Sequence, residues 1–158
     1  MKLALGGDDA GFAMKEPVRA FLAAAGHAVT DFGTHSSEPV DFPDIAKLVC
    51  GAVRGARTER GVLVCGTGVG ACIAANKVLG IRAAVCHDVY SARQCVEHDD
   101  VNLLCLGAQI VGVKLAEEIL ASYLRAQFST DDHFRRRVAK LGEMERAPAR
   151  ELGGHSVG

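Results

Sequence analysis

The sequence predicts a Rossmann-like three-layer α/β/α fold: a five-stranded parallel sheet with helices on both faces. Three observations lead there. Short apolar runs alternate with helical patterns along 158 residues, a length that suits one domain. The run 61–65 (GVLVC) is apolar throughout, as a strand buried on both faces requires. Glycine-rich stretches fall between the runs, where strand-to-helix turns belong.

Residues 2–6 (KLALG) read as the first strand. Residues 12–25 follow as a helix, since Val18, Phe21 and Leu22 can share a face, with Pro17 tolerable only near the first turn. Residues 27–32 form the second strand, and residues 33–43, rich in Ser, Pro and Gly, form a loop. A helix is expected over 44–55, a third strand over 61–65 and a third helix over 71–79. Further strands are expected over 81–86 and 102–106, with a helix over 91–97 between them. Residues 114–128 read as a strongly periodic amphipathic helix and the basic stretch 131–141 as a last one. The expected domain is 1–142, with 143–158 as a flexible tail of Gly and small residues.

Composition narrows the function classes. At 49% hydrophobic residues a core can form. Eighteen basic and 19 acidic residues leave a net charge of −1, which provides no general field for nucleic acid or an anionic membrane. No apolar run approaches the roughly 20 residues of a membrane span, and the N-terminus lacks the apolar stretch of a signal peptide. The six cysteines, at 50, 65, 72, 86, 95 and 105, include no CxxC pair, so neither a zinc ribbon nor a thioredoxin site is supported. Most lie in apolar runs and read as buried reduced thiols, which points to a cytoplasmic protein.

In such sheets ligands bind beyond the C-terminal strand ends. That makes residues 7–11, 66–70 and the loop after Cys86 the candidate site walls. The segment Cys65-Gly66-Thr67-Gly68-Val69-Gly70-Ala71 carries the most information. Its glycines let the backbone curl and present N–H groups to an oxyanion or phosphate. A tight turn without ligand is the plain alternative. Two functional readings stand side by side. Gly66, Gly68 and Ala71 fit G-x-G-x-x-A with Asp88 about 20 residues on, as a dinucleotide site would want, although that fingerprint usually follows the first strand. The other reading centres on Cys65. A thiol at a strand end beside a helix start is expected to have a lowered pKa. Its thiolate can take a proton while nearby amides hold an enediolate oxygen.

Several segments together carry a family resemblance: GGDDAGF (6–12), DFGT (31–34), VDFPD (40–44), CGTGVG (65–70), IAANK (73–77), GIRA (80–83), CHDVYSAR (86–93) and Glu97-His98. In this order they resemble ribose-5-phosphate isomerase B and its galactose- and allose-phosphate isomerase relatives, over residues 2 to about 141. The resemblance implies an aldose–ketose isomerase working through a cis-enediolate without metal or nucleotide. It implies a homodimer, possibly paired into a tetramer, whose sites are shared between subunits. It makes Cys65 the base, Thr67 the group that moves the hydroxyl proton, and His98 the ring-opening histidine. The amides of Gly66, Gly68, Val69 and Gly70 would hold the enediolate, Asp8 would bind substrate, and Arg137 would bind phosphate. Part of the family uses a Glu just after the glycine loop; Ala71 and Cys72 stand there here, so the chain resembles the Cys type.

Four positions depart from the pattern. An Asp-His pair is replaced by Asp8-Asp9, an Asn by Asp99, an Arg by Gln109, and a second Arg by His133, with Arg135 or Arg136 one turn-shift away. Gln cannot reproduce a bidentate Arg–phosphate contact, and two added acids repel a dianion. The expectation is therefore either a different phosphosugar or an unphosphorylated sugar, or ribose 5-phosphate with Arg135 and Arg136 compensating. A sugar- or nucleotide-binding module without catalysis is the alternative of another class, though it would need only the glycine loop and not Thr67 and His98 as well.

Overall fold

Residues 1–147 are described in a computed structural model of the chain. The elements are β1 (Lys2–Gly7), α1 (Phe12–Ala24), β2 (Ala28–Asp31), α2 (Phe42–Arg54), β3 (Arg60–Cys65), α3 (Val69–Ala75), β4 (Ala83–Val85), α4 (Val89–Asp99), β5 (Leu103–Gly107), α5 (Val113–Arg125) and α6 (Asp132–Arg146). All strand pairs are parallel, in the order β2-β1-β3-β5-β4. Among the described residues, no helix is long and apolar enough to cross a membrane.

The period-2 alternation of strands sorts the core into two layers. Leu3, Leu5, Val62, Val64, Leu104 and Leu106 face one way, against α1, α4 and α5. Ala4, Leu63, Leu103 and Cys105 face the other, against α2 and α3. Both faces are covered, which is why β1, β3 and β5 read as unbroken apolar runs. The only charged side chain buried in α1, Lys15, is 2% exposed and pairs with Asp31 at 2.5 Å at the end of β2.

Element ends differ from expectation where side chains from elsewhere take over backbone groups. α3 stops at Ala75 because Asn76 leaves the helix to clip β4: its amide donates to the Ala83 carbonyl at 2.9 Å and its carbonyl accepts from the Ala83 N–H at 2.8 Å. β4 begins only at Ala83, since the Arg82 N–H is taken by the Asn102 side chain at 2.9 Å. α5 ends at Arg125, where Arg60 donates to the carbonyls of Tyr123 and Ala126. α6 runs to Arg146, so residues 143–146 of the expected tail are helical; residues 148–158 lie outside the described residues.

The register brings the loops of interest to one end. Gly7 pairs with Val64, and Cys65 with Gly107, so the loops after β1, β3 and β5 lie side by side. The turn after β1 packs with no room to spare. A Cβ on Gly11 would stand 2.0 Å from the Val64 carbonyl oxygen and 2.9 Å from the Cys65 nitrogen. Gly11→Ala is expected to lower stability by about 3 kcal/mol or more, because the obstacle is strand backbone and not a flexible side chain. Denaturant unfolding of the variant checks this.

Candidate active site

Cys65 ends β3, half-buried, and its thiol donates to Asp8 Oδ2 at 2.8 Å. Asp8 follows β1 and is 8% exposed. Its other oxygen accepts the Gly11 N–H at 2.9 Å, and its own N–H donates to the Val64 carbonyl at 3.2 Å. The glycine loop then turns away. Gly68 adopts φ +79°, a left-handed conformation that suits glycine, and starts α3. Thr67 is exposed, with its hydroxyl accepting the Val69 N–H at 3.4 Å. Phe42, at the start of α2, covers Gly70: a Cβ there would meet its ring at 3.0 Å. Gln109 closes the opposite side. Its N–H donates to the Gly66 carbonyl at 2.9 Å, and its side-chain oxygen lies 3.3 Å from where a Gly66 Cβ would be. His87 braces the wall by accepting the Gly107 N–H at 3.0 Å.

The thiol does not have the lowered pKa that its place in the sequence suggests. Burial pushes it up first, and the Asp8 carboxylate raises it further by hydrogen bond and by charge. The amides of Gly68 and Gly66 act in the expected direction but are outweighed. Cys65 in the free protein is therefore a neutral thiol held on a carboxylate. Asp9 is drawn elsewhere: its side chain accepts the Val40 N–H at 3.3 Å and ties down the loop before α2.

A second cluster forms at the other end of the sheet. α4 starts beyond the C-terminal end of β4 and runs back, so His98 and Asp99 lie near the N-terminal end of β5. The His98 ring stacks on Phe134 with centroids 3.9 Å apart and planes 17° apart, and its Nδ1 meets the Gln94 amide at 2.8 Å. His133 tilts onto the same ring at 3.8 Å, and Arg137 lies over it at 5.9 Å. Arg135 turns instead to Phe128, at 5.0 Å. Asp99 is exposed beside this group.

The chain thus gathers Cys65, Gly66, Thr67, Gly68, Val69, Gly70, Asp8, Asp9 and Gln109 at one end and His98, Asp99, His133 and Arg137 at the other. The strand of β5 between the two ends spans five residues, on the order of 17 Å, beyond the reach of any side chain. Phe134, which organises the second cluster, was not singled out from the sequence. Its spacing to His133 and Arg137 on one helical turn was the available signal. Phe42 and His87 lie in segments the sequence marks, 40–44 and the loop after Cys86, but their contacts with Gly70 and Gly107 are distant in the chain and not legible there.

A sequence model described as Ribose/Galactose Isomerase matches residues 3–141. The chain is 45% identical over 135 residues to ribose-5-phosphate isomerase B of Escherichia coli (strain K12), covering 85% of this chain and 91% of that one. It is 40% identical over 129 residues to a D-erythrulose-4-phosphate isomerase of Pectobacterium atrosepticum, covering 81% and 85%. The solved structure of Clostridium thermocellum ribose-5-phosphate isomerase B superposes with a TM-score of 0.90 at 46% identity, over 92% of this chain and 98% of that one. A match across nearly the whole sheet and both clusters leaves one assignment: the chain belongs to the ribose/galactose isomerase family of sugar-phosphate isomerases and is an aldose–ketose isomerase.

Proposed function

We propose that the chain interconverts an aldose phosphate and its ketose through an enediolate, with Cys65 as the base, at sites completed by a second copy of the chain. The observation that carries this reading is the position of Cys65, at a strand end inside the cradle of Gly66, Gly68, Val69 and Gly70 and in contact with Asp8. The thiolate takes the proton from the hydroxyl-bearing carbon next to the carbonyl. The electron pair left behind forms the enediolate, whose oxygen the loop amides hold. Thr67 passes the hydroxyl proton between the two oxygens, and Cys65 returns the carbon-bound proton to the neighbouring carbon.

His98 opens the sugar ring, and Arg137 with His133 binds the phosphate. One chain cannot bring these groups to its own Cys65, so the reading places them in the cradle of a second copy, in a homodimer. The free state of all six cysteines suits a reducing compartment, the cytoplasm. Turnover of a panel of aldose phosphates tests the proposal. Conversion of at least one member, without added nucleotide, is expected, and conversion of none contradicts it.

A second reading, the same chemistry on a sugar other than ribose 5-phosphate, has its own support. Gln109 lies against the glycine loop, Asp9 is engaged with Val40, and Arg135 is engaged with Phe128. None of the three supplies a positive charge to a phosphate. The relative that acts on D-erythrulose 4-phosphate makes a four-carbon substrate the natural comparison. Gln109→Arg is expected to raise kcat/KM for ribose 5-phosphate, relative to the four-carbon sugar phosphate, by about tenfold. An unchanged ratio removes this reading.

A further inference from the structure

We propose that Asp8 is a positioning residue for Cys65: its carboxylate holds the resting thiol by its proton and takes that proton when the thiolate forms. The inference rests on the reading of Cys65 as the base and deepens it. An Asp after a strand end commonly serves only the turn. Here the turn occupies one oxygen, Oδ1, which accepts the Gly11 N–H, while Oδ2 faces Sγ at 2.8 Å. The carboxylate has little freedom to leave that position. Asp8 is 8% exposed, its N–H is bonded to Val64, and Gly11 is wedged against the Val64 carbonyl.

The step balances within the pair. The S–H bond of Cys65 breaks, its proton joins Asp8 Oδ2, and the electron pair stays on Sγ, so the site's net charge is unchanged. The Gly66 and Gly68 amides, which favour the charged sulfur, stabilise the thiolate once it exists. The thiolate then carries the substrate proton through the enediolate, and Asp8 returns its own proton when the product leaves. The titratable groups acting on Sγ are Asp8 from the loop after β1 and the buried, neutral Cys105 of β5. Lys15 of α1 pairs with Asp31.

The test is iodoacetamide alkylation of the full-length protein as a function of pH, read peptide by peptide, together with kcat. In the wild type, Cys65 is expected to titrate above an ordinary thiol, while Cys72, whose pKa is drawn down to about 7 by the Cys105 thiol beside it, reacts at lower pH and serves as the internal reference. In Asp8→Asn, which keeps a side-chain oxygen for Gly11, the Cys65 midpoint is expected to fall, because the carboxylate's hydrogen bond and charge both raise it. Its kcat is expected to fall about 100-fold and to stay low above the new midpoint, where solvent supplies the thiolate, because Sγ is no longer held in place by Oδ2. Asp8→Glu is expected to restore part of the neutral-pH rate. An unchanged midpoint overturns the proposal, as does a raised KM with kcat intact, which would make Asp8 a sugar ligand only. Should Asp8→Asn fail to fold, a wild-type Cys65 midpoint at or below that of free cysteine overturns it equally. Activity surviving in Cys65→Ala would sink the base assignment separately, since the alkylation profile does not depend on turnover.

Discussion

Cys65→Ala is expected to lower kcat by about a thousandfold or more while leaving KM within a fewfold of wild type. The substitution deletes one sulfur atom at a half-buried strand end whose neighbours are glycine backbone and Asp8. The cradle that holds the sugar stays in place, because Gln109 and Ala108 are bonded to the Gly66 and Cys65 carbonyls and not to the thiol. What is lost is the group proposed to carry a proton between two carbons. Asp8 cannot substitute for it, since its carboxylate is pinned beneath Sγ. Cys65→Ser is expected to be nearly as impaired, because a hydroxyl ionises far less readily than a thiol. Steady-state kinetics of the three proteins on one productive sugar measures both parameters. A kcat within tenfold of wild type in Cys65→Ala would require another base.

Mixing two inactive variants is expected to restore activity. Cys65→Ala and His98→Ala each break one of the two clusters, and those clusters lie at opposite ends of each chain. If every site takes Cys65 from one copy and His98 from the other, a heterodimer of the two variants has one intact site and one doubly broken site. Random reassociation of equal amounts yields heterodimers as half of the population, so about a quarter of wild-type activity returns. If both residues acted within one chain, or if His98 were dispensable, mixing would add nothing to the parent activities. Unfolding and refolding the two proteins together, then assaying against each refolded alone, makes the comparison. His98→Ala also removes the ring stacked on Phe134, so the refolded protein's helix content should be checked first.

The strand–helix alternation and the apolar run of β3 were readable because binary pattern and strand period are local properties. Cys65 stood out for the same reason: the glycines that mark its loop are its immediate neighbours. The direction of its pKa was not readable. It depends on burial and on a carboxylate 57 residues away in the chain, and the sequence shows only the nearby amides that favour the opposite sign. The same limit hid Asn76, whose clip on β4 ends α3 four residues earlier than its helical pattern suggests. Asp9 reads from the sequence as an acid near the phosphate region, and its contact with the Val40 N–H, 31 residues away, was not legible there. Phe134 was legible only in part, since an aromatic ring on a helix rich in Arg has no visible partner on α4 until α4 and α6 are placed together.

The most direct test of the central claim is exchange in deuterated water. Wild-type protein and Cys65→Ala would each be incubated with ribose 5-phosphate, erythrulose 4-phosphate and allose 6-phosphate, and deuterium at the carbons flanking the carbonyl would be followed by magnetic resonance. The account predicts rapid incorporation into at least one sugar by the wild type and none above background by Cys65→Ala. Incorporation that persists without the Cys65 thiol, or isomerisation with no exchange in either protein on any of the sugars, would contradict it.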